Sequence, residues 1–244
     1  APVINLPASF TLAEDAVLPI NMALYASDID NANLTLTASG NVNVSVAITG
    51  MNVTLGALLN WNGTEPVTFT VNDNMGRSIA SDIVSIVVTP VNDAPVINLP
   101  VSVTFAEDNN LVVNLAPYVS DVDNTNLTVT AQNSAHVSVV MNGLNATLTA
   151  TTNWSGTEIV HFTVSDGVLS ATGQTNVIVT PVNDAPVINL PASFTFAEDG
   201  NLVVNMTPYV SDIDNTTLTL TAQNSAHVSA AINGLNVTLT ATAN

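Results

Sequence analysis

The triplets Asp28-Ile29-Asp30, Asp121-Val122-Asp123 and Asp212-Ile213-Asp214 each put two carboxylates on one short segment, and each is followed by an Asn. Glu14, Glu65, Asp73, Asp93, Glu107, Glu158, Asp166 and Asp184 stand in other short segments between apolar runs. Gathered carboxylates repel one another by about 1 kcal/mol per pair even in bulk water, and by more near a protein surface. A hard cation removes that repulsion. Ca²⁺ takes about six to eight oxygens from carboxylates, Asn side chains and backbone carbonyls, and it tolerates irregular geometry. The chain cannot neutralise these groups itself, because Arg77 is its only Lys or Arg against 19 acids, for a formal charge of −18.

That balance excludes nucleic acid as a partner, since nothing is present to neutralise phosphates. There is no Cys, so no disulfide framework or thiol chemistry applies. No apolar run approaches the roughly 20 residues that span a bilayer, and the first residues lack a basic, signal-like start. A soluble, mature or excised piece without membrane insertion is expected.

The acids recur because the chain recurs. Thr89–Pro100 and Thr180–Pro191 both read TPVNDAPVINLP, and Ala1–Pro7 carries the end of the same phrase. With Ala1, Ala94 and Ala185 in register, the copies are 93 and 91 residues apart, and 18 of the 19 acids fall on recurring positions, Asp82 alone excepted. Copies two and three agree at 47 of 60 aligned positions. The expected domains are 1–93, 94–184 and an incomplete 185–244, whose last strands are absent from the sequence.

Within a copy, apolar residues alternate with Thr, Ser and Asn, as in VTFTV at Val67–Val71 and VHFTV at Val160–Val164. That is the strand period, and β-branched residues dominate it. Turn pairs such as Asn142-Gly143, Asp166-Gly167 and Asn233-Gly234 separate the runs. No window offers a sustained helical stripe. The pattern predicts an all-β chain of tandem sandwiches with about seven strands each.

The order of Glu14, Asp-x-Asp-Asn, Gly-Thr-Glu65, a strand into Val-Asn-Asp73 and Val-Asn-Asp93-Ala-Pro resembles the cadherin repeat. It resembles more closely the cadherin-like, immunoglobulin-like tandem repeats of bacterial surface adhesins. The resemblance implies Ca²⁺ held where successive repeats join. Carried over, the first joint would use Glu14, Glu65, Asn92 and Asp93 with Asp121, Asp123 and Asp166. The second would use Glu107, Glu158, Asn183 and Asp184 with Asp212 and Asp214, while Asp28, Asp30 and Asp73 would face a preceding repeat. Thr89 and Thr180 depart from the animal pattern, in which the joint begins with Asp, and Gly63 and Gly156 stand near where another acid is usual. The implied role is a cell-surface adhesin stalk or filament, extracellular and non-enzymatic.

The implied partners are further copies of the repeat, in the same or a neighbouring chain, with a surface glycan or protein as an external ligand and a homo-polymer as an alternative. A self-assembling fibre subunit completed by a donated strand is one competing reading. A glycan-binding module using Trp61 or Trp154 is another, although both tryptophans read first as core residues. His136, His161 and His227 lie in or beside strands, with no adjacent nucleophile to make a catalytic site. Ten Asn-x-Ser/Thr triplets occur, and they accept glycan only in an exported, glycosylating setting.

Overall fold

The computed structural model describes residues 1–76 and 78–242. Arg77 and the last two residues of the third copy lie outside them. The chain packs as two compact units, the first made of Ala1–Ile97, Val119–Thr128 and Val164–Ala171, the second of Asn98–Tyr118, Val129–Thr163 and Thr172–Asn244. These units and the three sequence repeats are different divisions of the chain. Asp121, Asp123 and Asp166 belong to the same unit as Asp93, and Asp212 and Asp214 to the same unit as Asp184.

In the first unit the alternation read from the sequence becomes a sandwich. A four-stranded sheet has the order Ser9–Ala13, Ile79–Thr89, Gly63–Asn72, Thr35–Ser39. Its first pair is parallel, with Phe10 opposite Ile86 and Leu12 opposite Val88. A three-stranded antiparallel sheet is made of Leu18–Asn21, Asn52–Ala57 and Val44–Thr49. Val67, Phe69 and Val71 of Gly63–Asn72 point inward with Val84, Ile86 and Val88 of its neighbour. They meet Val53 and Leu55 from the other sheet, and all eight are almost wholly buried. Expelling water from these faces is the main force holding the two sheets together.

The second copy repeats the pattern. Ser102–Ala106 runs parallel to Ser170–Thr180, which neighbours Gly156–Ser165 and then Thr128–Gln132. Asn110–Asn114, Asn145–Ala150 and Val137–Asn142 form the facing three-stranded sheet. The third copy supplies Asn201–Asn205, Asn236–Ala241 and Val228–Asn233 as a third such sheet.

Each copy enters its sandwich the same way. Short antiparallel pairs join Val3–Ile4 to Ala26–Ser27, Val96–Ile97 to Val119–Ser120 and Val187–Ile188 to Val210–Ser211. A single 3₁₀ turn precedes each Asp-x-Asp segment, at Met22–Leu24, Ala116–Tyr118 and Thr207–Tyr209. Beside these turns the carbonyls of Tyr25, Tyr118 and Tyr209 accept hydrogen bonds from Asn5, Asn98 and Asn189 at 2.8–2.9 Å. The repeated phrase is thereby tied to the segment that carries the paired acids.

One glycine is required where a strand starts. A Cβ on Gly156, whose φ is +156°, would sit 2.7 Å from Cζ2 of Trp154. Gly156→Ala is expected to destabilise by about 1–3 kcal/mol through overpacking. Phe162→Ala, which opens the core, should cost about 3–5 kcal/mol. Urea unfolding of both variants checks the two values.

Candidate metal centres

The Asp-x-Asp segments are Asx turns in which one carboxylate oxygen closes the loop and the other is left over. Asp121 Oδ1 accepts the N–H groups of Asp123 and Asn124, both at 2.8 Å. Asp212 Oδ1 accepts those of Asp214 and Asn215 at 2.9 and 2.8 Å, and Asp28 Oδ1 that of Asp30 at 2.9 Å. Among the described residues the second oxygens of Asp28 and Asp121 are buried without a hydrogen-bond partner. Asp28 Oδ2 lies 3.5 Å from the amino group of Ala1.

The linker phrase brings its own acid to each turn. The Asp93 N–H donates to Asp123 Oδ2 at 2.8 Å, and the Asp184 N–H to Asp214 Oδ2 at 2.6 Å. Asp93 Oδ2 and Asp184 Oδ2 are again buried and unpartnered. Burial, then the charges of Asp15, Asp123, Glu14 and Asp121, hold the Asp93 carboxyl above the usual range. Asp184 is raised in the same way, by burial and then by Asp108, Asp214, Glu107 and Asp212. At two equivalent places a linker carboxyl therefore feels the charge of four others.

Glu14 and Glu107 are buried at these places because their strands end there. The Glu14 N–H donates to the Thr89 carbonyl and the Glu107 N–H to that of Thr180, both at 2.9 Å, so the parallel pairing continues into the linker. Their side chains accept the N–H groups of Val91 and Val182 at 2.6 and 2.8 Å. Asn92 spans from the linker to the hairpin turn of the second copy, its side-chain amide donating to Asp166 Oδ2 at 2.6 Å. That bond first, then the Val168 amide, pulls the Asp166 carboxyl down. In the first copy, Asn31 donates to the carbonyl of Asp73 and so joins the Asp28–Asp30 turn to it.

Two expected ligands are elsewhere. Strand alternation puts Glu65 in phase with the inward Val67, Phe69 and Val71, so its carboxylate turns into its own sandwich. There Oε1 accepts the Val42 N–H, and Oε2 those of Asn43 and Val44 at 2.8 and 3.1 Å. Glu158 does the same in the second copy, accepting the His136 N–H at 3.0 Å and bonding His136 Nδ1 at 2.7 Å. Both glutamates anchor loops and are not brought to the joints. The residues that are there instead, Asp15 and Asp108, sit beside Glu14 and Glu107 in left-handed backbone, with φ of 61° and 63°. Asn62, at 3.4 Å from Glu14 Oε2, joins the first place as well.

The donors fit a hard cation. Each place offers carboxylate and amide oxygens, with no thiolate and no imidazole among the groups named, which suits Ca²⁺ and not Zn²⁺. Among the described residues no group of three or more His, Cys, Asp or Glu side chains is placed to hold a metal ion as it stands. The buried, unpartnered oxygens of Asp93, Asp121 and Asp184 are the observation that a cation would answer.

Residues 91–180 match the model of the cadherin-like domain, and residues 1–89 that of the bacterial Ig domain. The chain is built of cadherin-like, immunoglobulin-like repeats. Repeats 22–24 of mouse cadherin-23 align over 98% of this chain and 88% of that one, at 15% identity and a TM-score of 0.55. Extracellular repeats 1–5 of protocadherin gamma B2 align over 99% and 53%, at 17% identity and 0.51. At these identities the likeness is one of fold. An endo-fucoidan hydrolase of glycoside hydrolase family 107 aligns over 99% of this chain at 18% identity, but its TM-score of 0.34 carries no argument. This chain spans 40% of that hydrolase. No curated protein matches the sequence. Cadherin-like and immunoglobulin-like domains are typically extracellular and non-catalytic, and among the described residues no helix is long and apolar enough to cross a membrane.

Acid acts on the two kinds of carboxylate in opposite senses. Burial pushes the Glu158 carboxyl up, but bonds from the Ser134 side chain and from the His136 amide and ring outweigh it and bring it to about 2. Its stabilising effect is present above the ordinary Glu range and is lost as pH falls from there toward 2. Asp93 is raised, so its ionisation opposes folding once pH rises through the ordinary Asp range. In chelator, Glu158→Gln should lower stability by about 1–3 kcal/mol, whereas Asp93→Asn should raise the melting temperature. Thermal unfolding from pH 3 to 8 separates the two.

Proposed function

We propose that this chain is a structural segment of an extracellular surface protein, in which carboxylate clusters at successive joints hold Ca²⁺ and stiffen the row of repeats. One observation carries the reading: a linker Asp with a buried, unpartnered oxygen stands among four like charges, at two equivalent places. Such an arrangement is unfavourable unless a cation is shared by its members.

The residues divide the work. Asp121 and Asp212 fix their turns through Oδ1 and keep Oδ2 for the ion. Asp93 and Asp184 bring the linker's carboxylate to the same point, and Glu14 and Glu107 orient the linker through the amides of Val91 and Val182. In the first joint Asp166 is held ready by Asn92. Without the ion the acids push the linker away from the Asp-x-Asp turn. With it, ligands from both sides of the linker are held at one distance, and the joint no longer swings. The expected setting is a stalk or filament at a cell surface, and exposed joints of this kind bind weakly, about 10⁻⁴ to 10⁻³ M.

The glycan-binding reading is not favoured. The Trp154 ring is stacked on His136, with centroids 4.7 Å apart and planes 4° from parallel, and it also lies against Gly156. Such a ring serves packing and does not offer an open face to a sugar. An enzyme is not favoured either, because the clustered acids sit at repeated linkers and not in one cleft with contrasted environments.

Small-angle X-ray scattering in excess Ca²⁺ and then in chelator is expected to show a longer, stiffer particle becoming variable. Unchanged curves would make the linker phrase a plain spacer. Asp121→Ala with Asp123→Ala should abolish the difference while circular dichroism still reports folded strands. Global unfolding of that variant would contradict a role confined to the joint.

A further inference from the structure

We propose that the strand Val44–Thr49 of the first copy pairs edge to edge with the same strand of a second molecule, antiparallel, about a two-fold axis at Ala47. Two three-stranded sheets become one of six strands, and the pairing is independent of the calcium reading.

Val44–Thr49 is an edge strand, because its sheet has the order Leu18–Asn21, Asn52–Ala57, Val44–Thr49. Its hairpin closes with Thr49 opposite Asn52, so Ser45, Ala47 and Thr49 turn their backbone groups to the neighbouring strand, and Val44, Val46 and Ile48 turn theirs outward. The groups of Val44 are taken, its N–H by Glu65 Oε2 and its carbonyl by the Asn41 side-chain amide, both at 3.1 Å. Among the described residues nothing meets the N–H and carbonyl groups of Val46 and Ile48. Such a row on a sheet edge is a template for another strand.

The other two copies close this edge with a side chain. Asn133 Oδ1 accepts the Val139 N–H and Asn224 Oδ1 that of Ala230, both at 2.8 Å. Val139 and Ala230 are the counterparts of Val46, and each amide oxygen stands in for the carbonyl of an added strand. In the first copy the counterpart of both asparagines is Gly40, which has no side chain to reach the Val46 N–H. The opposite edge of the same sheet carries Pro19, which offers no N–H to an incoming strand. Val44–Thr49 has neither Pro nor a charged side chain to guard it.

The strand fits itself. Val44, Val46 and Ile48 lie on its core face, and Ser45, Ala47 and Thr49 on its solvent face. An antiparallel mate centred on Ala47 sets Val46 opposite the partner's Ile48, so the unmet groups of one molecule meet those of the other and none is left over. The half-buried Val46 and Ile48 then carry the apolar face across the axis. The two Ala47 side chains face each other on the solvent side, small enough for the close spacing of a non-hydrogen-bonded pair. A charged strand would find no counter-charge on this edge, whereas a copy of the same strand brings none. The contact is short and the dimer therefore weak, and it closes at two molecules because the same edge is used on both. Salt that screens the formal charge of −18 on each chain favours it.

The test is sedimentation velocity of the 244-residue chain in chelator and salt, at concentrations up to about 1 mM, with amide hydrogen exchange followed residue by residue. The expected result is a concentration-dependent dimer in which the Val46 and Ile48 amides become protected as association rises. Ala47→Glu, which sets two carboxylates against each other on the axis, should weaken association at least about tenfold. Ala47→Ser, at the same exposed position, should change it by no more than about twofold. Circular dichroism checks that both variants keep their strands, and the exchange pattern of the unsubstituted chain stands as evidence even where Ala47→Glu fails to fold. A chain that stays monomeric throughout, a dimer that folded Ala47→Glu leaves intact, or protection that arises elsewhere and not at Val46 and Ile48 overturns the proposal.

Discussion

Carboxylates that cannot be neutralised from within govern this molecule. With one Arg in the whole sequence and 19 acids, every acid must be spread into water, satisfied by backbone amides or answered by an external cation. The chain uses all three solutions. The outer faces of its sheets carry Thr, Ser, Asn and aliphatic side chains, and the acids are collected at the ends of strands. Glu65 and Glu158 are satisfied by amides of a neighbouring loop, at no electrostatic conflict. The joint acids are not, and Asp93 and Asp184 show it through buried oxygens that no described residue meets.

The sandwich makes that distribution possible. Two packed sheets bury alternate residues of each strand, and the parallel pairing of Ser9–Ala13 with Ile79–Thr89 delivers Glu14 to the point where the linker leaves. The linker phrase then runs back to pair with the entry to the next Asp-x-Asp turn, Val96 opposite Ser120 and Ile97 opposite Val119. The repeated letters of that phrase are explained by these duties: Val-Asn-Asp meets the acids, Ala-Pro bars helix and sets an extended direction, and Val-Ile forms the short pair.

Much of this is legible in the sequence because period and repeat are one-dimensional signals. The alternating Val, Phe and Thr of Val67–Val71 read directly as a half-buried strand, and the three Asp-x-Asp-Asn segments mark the three copies. Glu65 and Glu158 were harder to read. The cadherin resemblance implies a place at the joint, but the alternation that buries Val67 and Val160 also turns these glutamates inward, and only the loop at Val42–Val44 or His136 reveals their partners. Asp15 and Asp108 are the converse case. They look like solvated loop residues, yet each sits in left-handed backbone and its charge acts on the linker Asp. The side-chain bridge from Asn92 to Asp166, across 74 residues, leaves no trace in local spacing.

The central claim is that the joint acids form cation sites, and calorimetric titration of Ca²⁺ into the metal-free chain tests it most directly. The account predicts saturable binding in the range of about 10⁻⁴ to 10⁻³ M, with heat lost when Asp93 and Asp184 are both changed to Asn. Absence of saturable binding, or binding that survives the double substitution unchanged, would contradict it.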